Sequence, residues 1–102
     1  MIIIAGTIKV DPAERDALLD RSRPWIEASR SEPGCLAYVL AADPVEPGRI
    51  VVYERWEDEQ ALHAHFAAES FSGMRGLLAS TDHETNVDRF EIAAVVDVFG
   101  GS

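Results

Sequence analysis

Three features of the sequence predict an α+β fold. Residues 2–10 alternate in two registers at once, apolar runs at 35–41 and 50–56 flank a turn-rich stretch, and helix-forming segments stand on either side of that pair. With an alternating C-terminal segment they give the order β-α-β-β-α-β, the split βαβ or ferredoxin-like arrangement. No repeat, low-complexity tract or linker interrupts the 102 residues, so a single domain over 1–102 is expected.

In the first strand Ile2, Ile4, Ile8 and Val10 fall on one side and Ile3, Ala5 and Thr7 on the other, as in a strand nearly buried on both faces. Asp11-Pro12-Ala13-Glu14 reads as a helix start, with Asp11 as N-cap, Pro12 at the first helical position and Glu14 in the capping-box position. Leu18, Ser22, Trp25, Ile26 and Ser29 follow at helical spacing. Pro24 removes one helix bond, and a kink near Arg23 is expected. Glu32-Pro33-Gly34 ends the helix. The runs at 35–41 and 50–56 form a hairpin through Asp43-Pro44-Val45-Glu46-Pro47-Gly48. Asp58 is the next N-cap and opens a short helix with Ala61, Leu62, His65 and Phe66 on one face. A further helical turn from about Phe71 carries Met74 and Leu78 inward, weakened by Gly73 and Gly76. Residues 80–86 read as a polar loop holding a solvated His83. The last strand is expected over 89–98, with Phe90, Ile92, Ala94, Val96 and Val98 on one face, followed by a Gly100-Gly101 tail.

Charge narrows the function. Nine basic residues against 18 acidic ones give −9, which repels phosphate backbones and anionic lipid, so neither nucleic acid nor a membrane surface is an expected partner. An RNA-reading sheet of this topology needs exposed aromatics on a basic face, which that charge opposes. One cysteine forms no internal disulfide, and no Cys/His cluster has metal-ligand spacing. His63 and His65 diverge on a helix, and Gly73-x-x-Gly76 is too short for a phosphate loop, so neither metal, flavin nor nicotinamide is expected. Cys35 has no adjacent base to lower its pKa and reads as a small buried residue. The N-terminal run lacks the basic region of a signal peptide and the length of a membrane span, and a cytoplasmic location is expected.

The alternation also predicts a partner. The first strand is apolar on both sides; Leu36, Tyr38 and Leu40 oppose Cys35, Ala37 and Val39, and Val51 and Tyr53 oppose Ile50, Val52 and Trp56. Two helices cover one face of such a sheet, and the other would be a large apolar patch. A two-fold homodimer packed sheet to sheet is the simplest remedy.

His65 falls in the middle of an apolar helical stripe, while His63 projects to solvent. Two readings stand side by side: a core histidine bonded to a backbone carbonyl or to Glu54, and a tuned group lining a cavity. Glu54 and Trp56 share a strand face with Val52, and a carboxylate between apolar neighbours needs a specific partner. His65, Arg55 of a second subunit or a backbone amide would serve. Trp56 alone reads as core. With Tyr38, Phe66, Phe71 and Met74 it would wall an aromatic pocket, and Asn86 would border its mouth as a hydrogen-bond donor.

The segments Glu32-Pro33-Gly34-Cys35-Leu36-Ala37-Tyr38, Asp43-Pro44, Val52-Tyr53-Glu54-Arg55-Trp56-Glu57-Asp58 and Ala61-Leu62, with His65 and Phe71, resemble the antibiotic biosynthesis monooxygenase family, which includes small quinol monooxygenases. The resemblance implies a dimeric α+β barrel with a pocket in each subunit, and oxidation of anthrones or hydroquinones by O₂ without metal or flavin. Trp56 and His65 match the family's pocket residues, with Glu54 in the same motif. The haem-degrading branch has an asparagine on the first strand where this chain reads Ala5-Gly6-Thr7, so haem cleavage is not expected.

The expected chemistry is general-base removal of a phenolic proton by His65, with the substrate stacked on Trp56, Phe66 and Phe71 and the developing charge held by Trp56 and Asn86. The anion then reduces O₂ directly. The alternative is a non-catalytic module that binds a small molecule in the same dimeric fold.

Overall fold

The expected order of elements forms, with the last strand displaced toward the N-terminus and the second helical region divided in two. In the computed structural model, which describes residues 1–100, β1 (Ile2–Val10), β2 (Cys35–Ala42), β3 (Arg49–Trp56) and β4 (His83–Glu91) make one antiparallel sheet in the order β2-β3-β1-β4. The helices α1 (Arg15–Arg30), α2 (Glu59–Phe66) and α3 (Glu69–Ala79) pack on one face of it. Position 101 of the expected glycine tail lies outside the described residues.

The start of α1 differs from the expectation. Asp11 accepts from the amide of Ala13 through Oδ1, and its carbonyl accepts from Glu14, which closes a turn before the helix. The helix begins at Arg15 with Glu14 as N-cap, and the Glu14 carboxylate accepts from the Thr81 hydroxyl at 2.7 Å. Pro24 does not break α1. The amide that Pro24 lacks would have bonded the carbonyl of Asp20, an exposed residue on the solvent side of the helix. Leu18, Ser22 and Ser29 are buried as the spacing predicts, the two hydroxyls donating to the carbonyls of Leu19 and Trp25. Gly73 lets α3 lie against α1, since a Cβ there would come within 2.5 Å of the Trp25 ring. Asp58 caps α2 as expected, accepting from the Ala61 amide at 2.9 Å.

Two corrections concern strands. A bulge between Cys35 and Ala37 places Cys35 opposite Trp56 and Tyr38 opposite Glu54, so Cys35 and Tyr38 share the helix-covered face and Leu36 is left half exposed. The simple alternation of Cys35 with Ala37 and Val39 therefore fails at its first residue. The last strand occupies His83–Glu91, not 89–98. It pairs with β1 from Val10 back to Ile2, and after the Ile92 amide donates to the Met1 carbonyl no strand remains to pair with. Val95, Val96, Val98 and Phe99 are accordingly exposed, and 80–86 is largely strand, its polar residues suiting an edge.

The core on the covered face forms two clusters. Ile2, Tyr38, Trp56, Leu62 and Met74 make one; Ile8, Val10, Leu18, Ile50 and Val52 make the other. On the open face Val39, Val51 and Phe90 are about 40–50% exposed, and Arg55 Nε is buried there without a hydrogen-bond partner among the described residues. No helix among these residues is long and apolar enough to cross a membrane.

Candidate active site

The period of two along β3 aims Val52, Glu54 and Trp56 at the helices, and all three are buried. Glu54 finds a partner that the sequence reading did not name: the Trp56 indole N–H donates to its Oε1 at 3.0 Å. Burial pushes the Glu54 pKa above the ordinary carboxylate range. The indole bond and the nearby His65 oppose that rise, and the Glu32 charge adds to it. Tyr38, on the neighbouring strand, has its phenol pushed far up by burial and then by Glu54. Burial likewise raises the Cys35 thiol, helped by Glu32 and Glu54, so it is no thiolate nucleophile.

Capping at Asp58 fixes the rotation of α2, which turns Leu62 and His65 inward. His65 is buried, with its ring centroid 4.6 Å from that of Trp56, 5.6 Å from Tyr38 and 5.5 Å from Phe71. Neither a backbone carbonyl nor Glu54 is its hydrogen-bond partner. His65 Nδ1 lies 2.8 Å from Glu32 Oε1, and the buried Ser70 hydroxyl donates to Glu32 Oε2. Glu32 and Ser70 were not singled out by the sequence. Glu32 stood in a motif read as a helix stop, and it meets His65 and Ser70 across 33 and 38 residues. The one available signal was that an imidazole inside a core must find a polar partner.

A cavity of about 240 Å³ opens between the two core clusters. Ile4, Ile8, Leu40 and Val52 form its floor, and Tyr38, Phe66, Phe71 and Met74 wall it as the sequence predicts. Glu54 is the carboxylate in its lining, with Arg75 and Thr85 at its polar edge. His65 and Trp56 are not part of the lining; the rings of Tyr38, Phe66 and Phe71 that wall the cavity also surround His65. The expectation of an imidazole looking directly into the hollow is thus corrected. Trp56 is likewise not free to hold charge, because its N–H is committed to Glu54.

Asn86 is misplaced by the sequence reading. Thr85 and Val87 line the cavity, so the residue between them faces away, into a shallow depression with Thr7, Lys9 and Arg49 on the open side of the sheet. His63 is exposed as expected. His83 is also exposed, but it begins β4, with Nδ1 3.0 Å from the Thr81 carbonyl.

Comparison with known proteins agrees with this architecture. The sequence model described as antibiotic biosynthesis monooxygenase matches residues 1–76. An uncharacterised protein of Synechocystis sp., sll1783, is 39% identical over 70 residues, which are 69% of this chain and 48% of that protein; the chain thus spans about half of that relative's length. "Putative monooxygenase YcnE" of Bacillus subtilis is 33% identical over 73 residues, 72% of this chain and 77% of its own. The crystal structure of a Deinococcus radiodurans protein named for the same family superposes with a TM-score of 0.85 at 23% identity, covering 96% of this chain and 98% of that one, and so shares the fold. By sequence match and by architecture together, this chain belongs to the antibiotic biosynthesis monooxygenase family.

Proposed function

We propose that the chain oxidises a small, flat, electron-rich aromatic of the quinol or anthrone kind with O₂, using His65 as proton acceptor. The cavity carries this reading: a hollow of about 240 Å³, walled by hydrocarbon and aromatic rings, with a carboxylate in its lining. A dry cavity of about 150 Å³ holds one benzene, so this one has room for one ring or two fused rings.

The substrate stacks against Phe66, Phe71 and Tyr38. Phe66 is 46% exposed, and this reading requires it to swing aside so that the phenolic oxygen reaches the imidazole behind it. His65 takes the proton, help worth about 10²–10⁴-fold. In a pocket without water the resulting anion is a strong one-electron reductant for O₂. A hydroquinone gives up two protons and two electrons to become a quinone while O₂ leaves as hydrogen peroxide. An anthrone-type methylene becomes a carbonyl with one oxygen atom while the other leaves as water. In both cases the substrate supplies the electrons.

We further propose that two copies pair through their open sheet faces, which covers Val39, Val51 and Phe90 and gives buried Arg55 Nε a partner.

An oxygen electrode with a reduced naphthoquinol and purified protein tests the activity. His65→Ala should lose about 10²–10⁴-fold in rate; equal rates in wild type and variant remove His65 from the mechanism. One observation favours the second reading, a binding module without turnover: His65 Nδ1 and the Trp56 indole N–H are each engaged within the fold, by Glu32 and Glu54. Tight aromatic binding with no oxygen uptake would establish that reading.

A further inference from the structure

We propose that Glu32 is a positioning residue for His65, holding the imidazole in the tautomer that leaves Nε2 as the proton-accepting nitrogen. This rests on the assignment of His65 as proton acceptor.

The geometry carries the argument. Only one nitrogen of a neutral imidazole bears a proton, and the hydrogen bond made by the other decides which. His65 Nδ1 lies 2.8 Å from Glu32 Oε1. The second oxygen is already taken, since Ser70 donates its hydroxyl to Oε2. A carboxylate whose Oε2 accepts from Ser70 presents Oε1 to His65 as an acceptor, so Nδ1 carries the hydrogen and Nε2 the lone pair.

The carboxylate is also fixed and solvated. The Glu32 amide donates to the Ser29 carbonyl and its own carbonyl accepts from Cys35, in a turn completed by Gly34 at φ 81°. On its outer side Glu32 borders a groove with Pro33, Glu57 and Asp58, and its side chain is 19% exposed while that of His65 is 1% exposed. Water thus reaches the carboxylate but not the ring. One residue bridges a wet groove and a dry core, and it stabilises the imidazolium formed when Nε2 takes a proton. Glu32 touches no substrate in this arrangement; it acts through His65.

The test reads the tautomer directly. In ¹⁵N-histidine-labelled protein, at a pH where the ring is neutral, long-range ¹H–¹⁵N spectra should show His65 protonated at Nδ1 and bare at Nε2. Glu32→Ala should convert this to a mixture. Glu32→Gln, which keeps the shape and removes the charge, should lower kcat about 10-fold or more with KM within about twofold, since the lost term belongs to the imidazolium and not to substrate binding. If Glu32→Ala does not fold, the wild-type spectrum and the Glu32→Gln kinetics still decide. A wild-type ring protonated at Nε2, or a Glu32→Gln variant with unchanged kcat, overturns the proposal. A protein with the expected spectrum and no oxygen uptake retains the positioning role and overturns the oxidase reading alone.

Discussion

On β3, Ile50 is wholly buried against the helices, while Val51, one residue on, is 39% exposed on the opposite face. The same contrast runs through the sheet. On the covered side Ile2, Ile8, Val10 and Trp56 are buried, and between their two clusters lies the cavity. On the open side Val39 and Phe90 stand half exposed beside a buried guanidinium nitrogen with no partner among the described residues. Both faces carry β-branched and small apolar residues, so composition does not separate them. Connection does: each helix follows or precedes a strand through a short loop, and both helical segments return to one side. A face covered by its own chain can keep a hollow, because rigid neighbours hold it open. An uncovered apolar face stays an area to be buried by something else.

The contrast can be broken from either side. Ile50→Ala should cost about 2–5 kcal/mol at any protein concentration, because it leaves a void between packed layers. Val51→Ala should cost less than about 1 kcal/mol in dilute protein and more as concentration rises, if the open face pairs copies. Denaturant titrations at two concentrations decide; equal, concentration-independent losses at both positions would erase the distinction between faces.

A smaller effect sharpens the covered side. Gly6 lies where β1 pairs with Val87 of β4, and a Cβ there would stand 2.1 Å from the Asn86 carbonyl oxygen. Gly6→Ala should therefore displace β4 at a cost of about 1–3 kcal/mol. Hydrogen exchange should report it as lost protection along β4, with β2 and β3 unchanged. Uniform loss across the sheet would mean that β4 is not a separable edge.

The mildest prediction concerns Glu54. Burial raises its pKa in the folded state, so the folded chain holds this proton at a pH where the unfolded chain has released it. The stability contribution is thus most favourable below the ordinary glutamate pKa and is lost as pH rises through the folded value. Glu54→Gln keeps an acceptor for the Trp56 indole and removes the buried charge, and should stabilise the protein by about 1 kcal/mol at neutral pH. The gain should vanish in acid. Thermal melts at both pH values check this, and a gain of the same size in acid would show that charge burial is not its source.

How far the site was legible follows the range of the interactions. His65, Tyr38, Phe71 and Met74 were found because helical and strand periodicity are local and report which way a side chain points. Asn86 was lost with the strand that carries it: the strongest alternation lay beyond Arg89, but a strand needs a neighbour, and β1 ends at Ile2. Leu36 and Cys35 exchanged roles because a one-residue bulge reverses alternation without a composition signal. The partner of His65 was invisible because it sits 33 residues away in a turn whose proline and glycine already explained themselves.

The amino-acid order by itself determined the succession of elements, the inward stripe of each helix and the double apolar character of β1, since these depend on periods of two and 3.6 residues and on caps a few positions long. Only the folded chain decided which face the helices take, where β4 stops, and that Glu32 links the His65 imidazole to the Ser70 hydroxyl. Those outcomes depend on backbone pairing and on space left between layers, quantities that exist only once distant segments have met.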